Sequence, residues 1–237
     1  MSAPKNQHLI PQVYLRQFGF IKEFGKELKR EKWFVCAKNL QNGKWEHREI
    51  ENFLSENHIY TLEEYAEISK FIIENDLNGG IEKRLPILVK QLHSNEINAN
   101  IHMALAETTA NFMARTNLFR QWVEGWFECE NFRDFFDMTF NPNGYNKNQI
   151  ERVFESYKNM TTKDAVNSLM VQYMNYASAV LRHSSIEVLV SNDDRLHFTS
   201  DNPVYFLNNL GFGQIQDSKM VILFALSPNL LLKFYCP

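Results

Sequence analysis

The sequence predicts an α+β domain: a central helical bundle with a long spine helix, packed on a small antiparallel sheet whose strands come from the N-terminal third and the C-terminal quarter. Three observations carry this. Apolar residues alternate around turn signals in residues 32–50 and again after Ser184, and between those stretches they recur every three or four positions. Helical and strand-like segments are therefore segregated along the chain, the mark of α+β architecture. No internal repeat, low-complexity tract or flexible linker divides the 237 residues, so a single domain, 1–237, is expected.

Each element has its own signal. "NQHLIPQVYLRQF", residues 6–18, reads as a short helix entered at Pro11, where a missing N–H costs nothing. In the charged stretch that follows, Glu23, Glu27 and Glu31 interleave Lys22, Lys26, Lys29, Arg30 and Lys32 at helical spacing, which describes a solvated helix face. "KWFVCAKNLQNGKWEHREI" alternates around Asn42-Gly43, a strong hairpin signal. From Asn52 the pattern turns helical, with a Gly79-Gly80 break before a helix carrying Glu82, Leu85, Leu88, Val89 and Leu92. Asn98 to Phe127 lacks proline and, until Gly125, glycine, and predicts one long amphipathic helix, the spine.

"FNPNGYNKN" at 140–148 is a turn and "NQIERVFESYKNM" a helix. Thr162 is suited to N-cap the next helix, whose buried stripe is Val166, Leu169, Met170, Tyr173, Met174, Ala177, Val180 and Leu181. After Ser184 two turn clusters, Asn192-Asp193-Asp194 and Asp201-Asn202-Pro203, divide three strands. A last hairpin turns at Ser227-Pro228-Asn229. The chain stops on "LLLKFYCP" without polar fraying, so either the last strand is docked or the native chain continues.

Composition narrows the function classes. A 44% hydrophobic content at this length builds a core without staples, and Cys36, Cys129 and Cys236 are odd in number and widely spaced. That pattern fits a reducing cytoplasm and opposes both a disulfide scaffold and a cysteine-ligated metal. A net charge of −3 with a pI near 6.2 removes the usual basis for broad nucleic-acid binding, though a local basic groove stays open. No apolar run approaches the ~20 residues of a spanning helix, so no membrane partner is expected. Aromatics make up 14%, with nineteen Phe, which reads as a Phe-rich helical core.

No phosphate-binding loop, dinucleotide fingerprint, nucleophile elbow or zinc-protease motif occurs, and the seven histidines form no i, i+4 pair. Neither a cofactor nor a metal site is expected. Candidate chemistry rests instead on polar residues set among apolar ones, which cost free energy unless paired or used. His8 lies just before the first helix, where the dipole favours its neutral form, and Arg16 follows among Tyr14, Leu15 and Phe18. Glu107, Asn111 and Arg115, at i, i+4 and i+8, line one face of the spine. Glu82 opens a helix. Ser200 and Asp201 sit in a tight turn between apolar strands. Each also has a plain structural reading as cap, intrahelical pair or turn residue.

In their order along the chain, "QHLIPQVYLRQF", "IYT" at 59–61, Glu82, "FMARTNLFR" at 112–120, "FTSDNPV" at 198–204 and "FALSPNLLL" at 224–232 resemble the domain of unknown function 4238 family, which is bacterial and phage-associated. On matching positions the resemblance picks out His8, Pro11, Tyr14, Arg16, Tyr60, Glu82, Arg115, Ser200, Asp201 and Pro203. It implies a common fold and a common site without naming a reaction, and family sequences tend to continue beyond the last hairpin.

Two functions are consistent with these residues. One is a small hydrolase acting on a phosphate-containing ligand or nucleic acid, as a toxin or phage-defence effector. In it His8 or Asp201 is general base, Glu82 a second acid or base, and Arg16 and Arg115, helped by Asn111 and Ser200, hold the anion. The other is a non-catalytic ligand-sensing or protein-interaction domain whose charged residues form a buried ion-pair network.

Overall fold

The computed structural model describes residues 6–22, 31–63, 70–94, 97–127, 132–140, 146–191, 196–208 and 211–235. Residues 23–30 of the charged stretch, the turn at 141–145, residues 192–194, Cys129 and Cys236 lie outside them. The described residues form seven α-helices and nine strands.

The first helix, α1 (Gln12–Leu15), is entered at Pro11 and continued by a 3-10 turn, Arg16–Phe18. Strand β1 (Asn6–His8) precedes it and pairs antiparallel with β5 (Ser55–Asn57). Strands β2 (Phe20–Lys22), β3 (Lys32–Lys38) and β4 (Trp45–Glu49) make a second sheet, with the expected hairpin turning through Gly43 at φ 71°. The third sheet, in order β6-β9-β8-β7, comprises β6 (Ser185–Val190), β7 (Val204–Phe206), β8 (Val221–Ser227) and β9 (Leu230–Tyr235). The expected α+β class holds, with strands from both ends of the chain distributed over these antiparallel sheets. The stretch 196–203, expected to contribute a strand, is irregular.

The helical body is α2 (Gly79–His93), α3 (Ala99–Ala114), α4 (Asn117–Phe127), α5 (Phe132–Phe140), α6 (Lys147–Lys158) and α7 (Thr162–Arg182). The spine is α3 packed on α7, the most extensive helix pair. Glu107 meets Arg182 and Asn111 meets Met174, so the two run in opposite directions. Asn98 caps α3, accepting from the Asn100 and Ile101 amides, and the α7 cap is Thr161, one residue before the one expected. The α7 stripe is buried as expected, apart from half-buried Val180.

The expected single helix over 98–127 is broken at Arg115-Thr116. Thr116 Oγ1 donates to the Met113 carbonyl and accepts from the Phe119 amide, both at 3.1 Å, closing one helix and opening the next. Residues 55–57, expected within a helical stretch, are strand β5, flanked by Leu54 and His58 in left-handed conformations (φ 53° and 56°).

The core joins all three parts of the chain. Tyr14 of α1, Phe112 of α3 and Phe224 of β8 pack with ring centroids 4.8, 4.9 and 5.7 Å apart. Further aromatic groups, Phe119 with Tyr173 and Phe212, and Phe136 with Phe154 and Tyr157, fill the helical body as the composition suggested. Among the described residues no helix is long and apolar enough to cross a membrane.

Candidate functional site

The helix break sets Arg115 at the end of α3 with its side chain wholly buried. Three groups close around the guanidinium. Nη1 donates to Glu82 Oε1 at 3.0 Å, Nη2 to the His8 carbonyl, and Nε to the Tyr60 hydroxyl at 3.4 Å. The ring of Tyr60 also lies beneath the cation, 5.4 Å from centroid to guanidinium carbon. Burial opposes the charge on Arg115, but Tyr60 and Glu82 more than offset it and hold the guanidinium above its ordinary range. Glu82 sits in the first turn of α2, its side chain 31% exposed.

His8 belongs to β1. Its Nε2 lies 3.1 Å from the Glu51 carbonyl and 3.3 Å from Gln12 Nε2, while Gln12 Oε1 accepts from Arg16 Nη2 at 3.2 Å. The imidazole is held below its ordinary value, chiefly by burial, against the opposing pull of the Glu51 and Ile50 carbonyls and Glu82. The neutral form is favoured, as the sequence suggested, but burial is the cause; α1 is only four residues long.

The stripe Glu107, Asn111, Arg115 divides into three environments. Glu107 makes surface ion pairs with Arg84 and Arg182, each at 2.7 Å. Asn111 is buried, its Nδ2 donating to Asn78 Oδ1 at 3.1 Å and its Oδ1 without a partner among the described residues. Asn78 in turn donates to Glu74 Oε2 at 3.1 Å. Both belong to a π-helical turn, Ile73–Asn78, leading directly into α2. Glu74, Asn78 and Glu82, four residues apart, thus face the spine as one polar seam, and π-turns concentrate at functional positions.

Ser200 and Asp201 stand elsewhere. Ser200 Oγ donates to the Asn202 carbonyl at 2.8 Å and accepts from its amide at 3.0 Å, and exposed Asp201 meets Asn202 Nδ2 at 3.5 Å. This is turn chemistry. Among the described residues no hydrogen bond or ion pair joins either residue to the Arg115 cluster, and neighbouring Thr199 meets the Tyr14 hydroxyl at 2.6 Å. His8, Arg16, Glu82 and Arg115 are therefore brought together, Asn111 lies one turn behind them, and Ser200 and Asp201 are set apart.

Two cavities among the described residues bear on the candidate residues. One, about 370 Å³, is walled mainly by Leu62, Ile73, Leu77 and Val171. The other, about 380 Å³, lies between the 196–203 loop and the third sheet. Ser200 lines the second; His8, Arg16, Glu82, Arg115 and Asp201 line neither.

The polar layer extends beyond the expected residues. Arg120 Nη1 donates to Asn167 Oδ1 at 2.9 Å, and Asn167 Nδ2 to the Ile59 carbonyl at 3.0 Å. Asp164, fully buried, accepts the Glu63 amide on both oxygens, at 2.9 and 3.0 Å. Gln7 Oε1 accepts the Tyr60 amide at 2.7 Å. One signal was available for these: Arg120 stands in "NLFRQW" as a charge among apolar residues.

A family model described as protein of unknown function, DUF4238, matches residues 6–237. The chain belongs to this family. Comparison with curated proteins and with solved structures found no match. Of the residues that carry the DUF4238 resemblance, His8, Tyr60 and Glu82 converge on the Arg115 guanidinium, and Tyr14 donates from its hydroxyl to the Ala225 carbonyl at 2.7 Å.

Proposed function

We propose that this domain binds a ligand or partner and does not catalyse a reaction at Arg115, whose charged neighbourhood acts as an internal clamp fastening the N-terminal segment to the helical pair. The observation that carries the reading is the closed fork of Arg115. Nε, Nη1 and Nη2 are each engaged inside the protein, and the side chain has no exposed surface. A phosphate held by that arginine would have to displace Glu82 or the His8 carbonyl, at the cost of a buried group left unpaired. The cysteine usage supports a reducing, cytoplasmic setting.

The test is mutational. Arg115→Ala is expected to destabilise by about 3–5 kcal/mol, because it strands Glu82 beside a buried void, while the paired replacement Arg115→Met with Glu82→Gln restores much of the loss. Denaturant midpoints measure both. Turnover of bis(p-nitrophenyl) phosphate or of nucleotides by the wild type, abolished in Glu82→Gln or His8→Ala at unchanged melting temperature, overturns the reading.

A second reading has one observation in its favour. Glu82 is partly open to solvent, and Gln12, whose amide nitrogen lies 3.3 Å from the His8 ring, accepts on its oxygen from the exposed cation Arg16. In a hydrolytic effector acting on a phosphate-containing ligand or nucleic acid, Glu82 and His8 would exchange protons and Arg16, with no help from Arg115, would hold the anion. The same assay decides between the two.

A further inference from the structure

We infer that the outward face of the β2-β3-β4 sheet binds single-stranded nucleic acid, stacking a base on Trp45 and meeting the backbone with Lys38 and Lys44, an assignment that deepens the binding reading above and rests on it. Register fixes which side chains share that face. Phe20 pairs with Phe34, Cys36 with His47 and Lys38 with Trp45, and residues two apart on a strand point the same way, so these six stand together. The alternate residues of β3 turn to the body of the protein: Val35 belongs to the core and Trp33 packs against it. The sheet thus has one face on the core and one in water. On the watery face Trp45 is 65% exposed, and Cys36, Lys38 and His47 are exposed beside it.

Charge selects the occupant. Residues 20–49 carry eight Lys and Arg against five Glu, whereas the rest of the chain carries seventeen against twenty-three Asp and Glu. This segment is therefore +3 within a chain of net −3, and that balance includes residues 23–30, whose sequence brings three cations to two carboxylates. Two of the five carboxylates are already paired, Glu49 with Lys32 at 2.8 Å and Glu46 with Arg48 at 2.6 Å. Cations and rings interleave on the face: Lys38 Nζ lies 5.8 Å from the Trp45 ring centroid and Lys22 Nζ 5.2 Å from that of Phe34. An exposed ring flanked by lysines suits a single strand of any sequence, because a base stacks on the ring while the flexible ammonium turns from it to the phosphate. A duplex keeps its base faces stacked and offers Trp45 nothing. A lipid surface fits less well, since insertion takes contiguous apolar area, and Trp45 is bordered by Lys38 and His47; Leu40, 87% exposed, adds one aliphatic side chain at the hairpin tip.

The full chain is titrated against fluorescein-labelled oligothymidylate and its duplex with oligoadenylate, read by anisotropy, and against phosphatidylserine vesicles, read by cosedimentation. The variants are Trp45→Ser, Leu40→Ser and the pair Lys38→Gln with Lys44→Gln, all at exposed positions and each compared with the wild type in melting temperature. Oligothymidylate is expected to bind with a Kd on the order of 10 μM at low salt, more tightly than the duplex. Trp45→Ser should weaken it about fivefold or more, the loss of one stacked base. The lysine pair should reduce the slope of log K against log salt by about 1.4, the release of two phosphate contacts on a single strand. Leu40→Ser should leave binding unchanged. Failure of oligothymidylate to bind overturns the inference, as does binding that neither Trp45→Ser nor the lysine pair alters. Vesicle binding abolished by Leu40→Ser, with no binding of oligothymidylate, also overturns it and gives the hairpin to a lipid surface. None of these outcomes touches the clamp, whereas phosphodiester turnover lost in Glu82→Gln removes the reading of the clamp and leaves the Trp45 face standing.

Discussion

His8 shows how a single side chain ties burial to pH. Its imidazole is held below the ordinary value of 6.5 because burial disfavours the cation more than the Glu51 and Ile50 carbonyls and Glu82 favour it. In the unfolded chain that restraint is absent, so on acidification the unfolded state takes up its proton first. His8 therefore contributes stability that is present above pH 6.5 and is lost as pH falls through the lower, folded value. Melting temperatures measured from neutral pH into the acid range should fall, and His8→Gln, which keeps a donor for the Glu51 carbonyl but cannot titrate, should flatten that fall. An identical slope in the variant removes His8 as the cause. Legibility at this scale was uneven. His8, Glu82 and Arg115 were visible because each is polar among apolar neighbours, whereas Asn78, Asp164 and Asn167 sit in helical patterns indistinguishable from a solvated face until the partner helix is placed.

The elements explain what the sequence left out. A three-residue strand such as β1 or β5 has no period to read, and Leu54, one of the two left-handed residues flanking β5, carries no turn preference of the kind that marks glycine or asparagine. The break after Ala114 was hidden because Thr116 is an ordinary helical residue unless its hydroxyl finds a cap. The π-turn was equally hidden, yet it brings Asn78 to Asn111. That pairing makes a prediction about two elements rather than one residue. Asn111→Leu alone leaves Asn78 Oδ1 buried without its donor and should cost about 1–3 kcal/mol, whereas replacing both residues by leucine should be less harmful than the sum of the singles, since the buried pair then leaves nothing unpaired and only half-buried Glu74 loses a donor. Denaturant midpoints of the three variants check this. A double variant as damaged as the sum of the singles would show that the contact is not a coupled one.

At the scale of the molecule, α+β class was readable because its signals are local, but the closure of the fold is not local at all. The bonds from Arg115 to the His8 carbonyl, from Asn167 to Ile59 and from Tyr14 to Ala225 span 107, 108 and 211 residues. Residues 6–18 thus touch the spine and the third sheet at once, through the Arg115 clamp on one side and the Tyr14 hydroxyl on the other. If they form the joint, the spine and that sheet unfold as one cooperative unit, although the sheet has its own hairpin and its own buried face. Tyr14→Phe tests this cleanly, because the ring still packs on Phe112 and Phe224 while the Ala225 carbonyl and Thr199 lose their partner. Native-state hydrogen exchange should then show faster opening of the β8 and β9 amides together with those of α3. If α3 alone loses protection and the sheet keeps its wild-type exchange, the two are separate units and the N-terminal segment fastens only one of them.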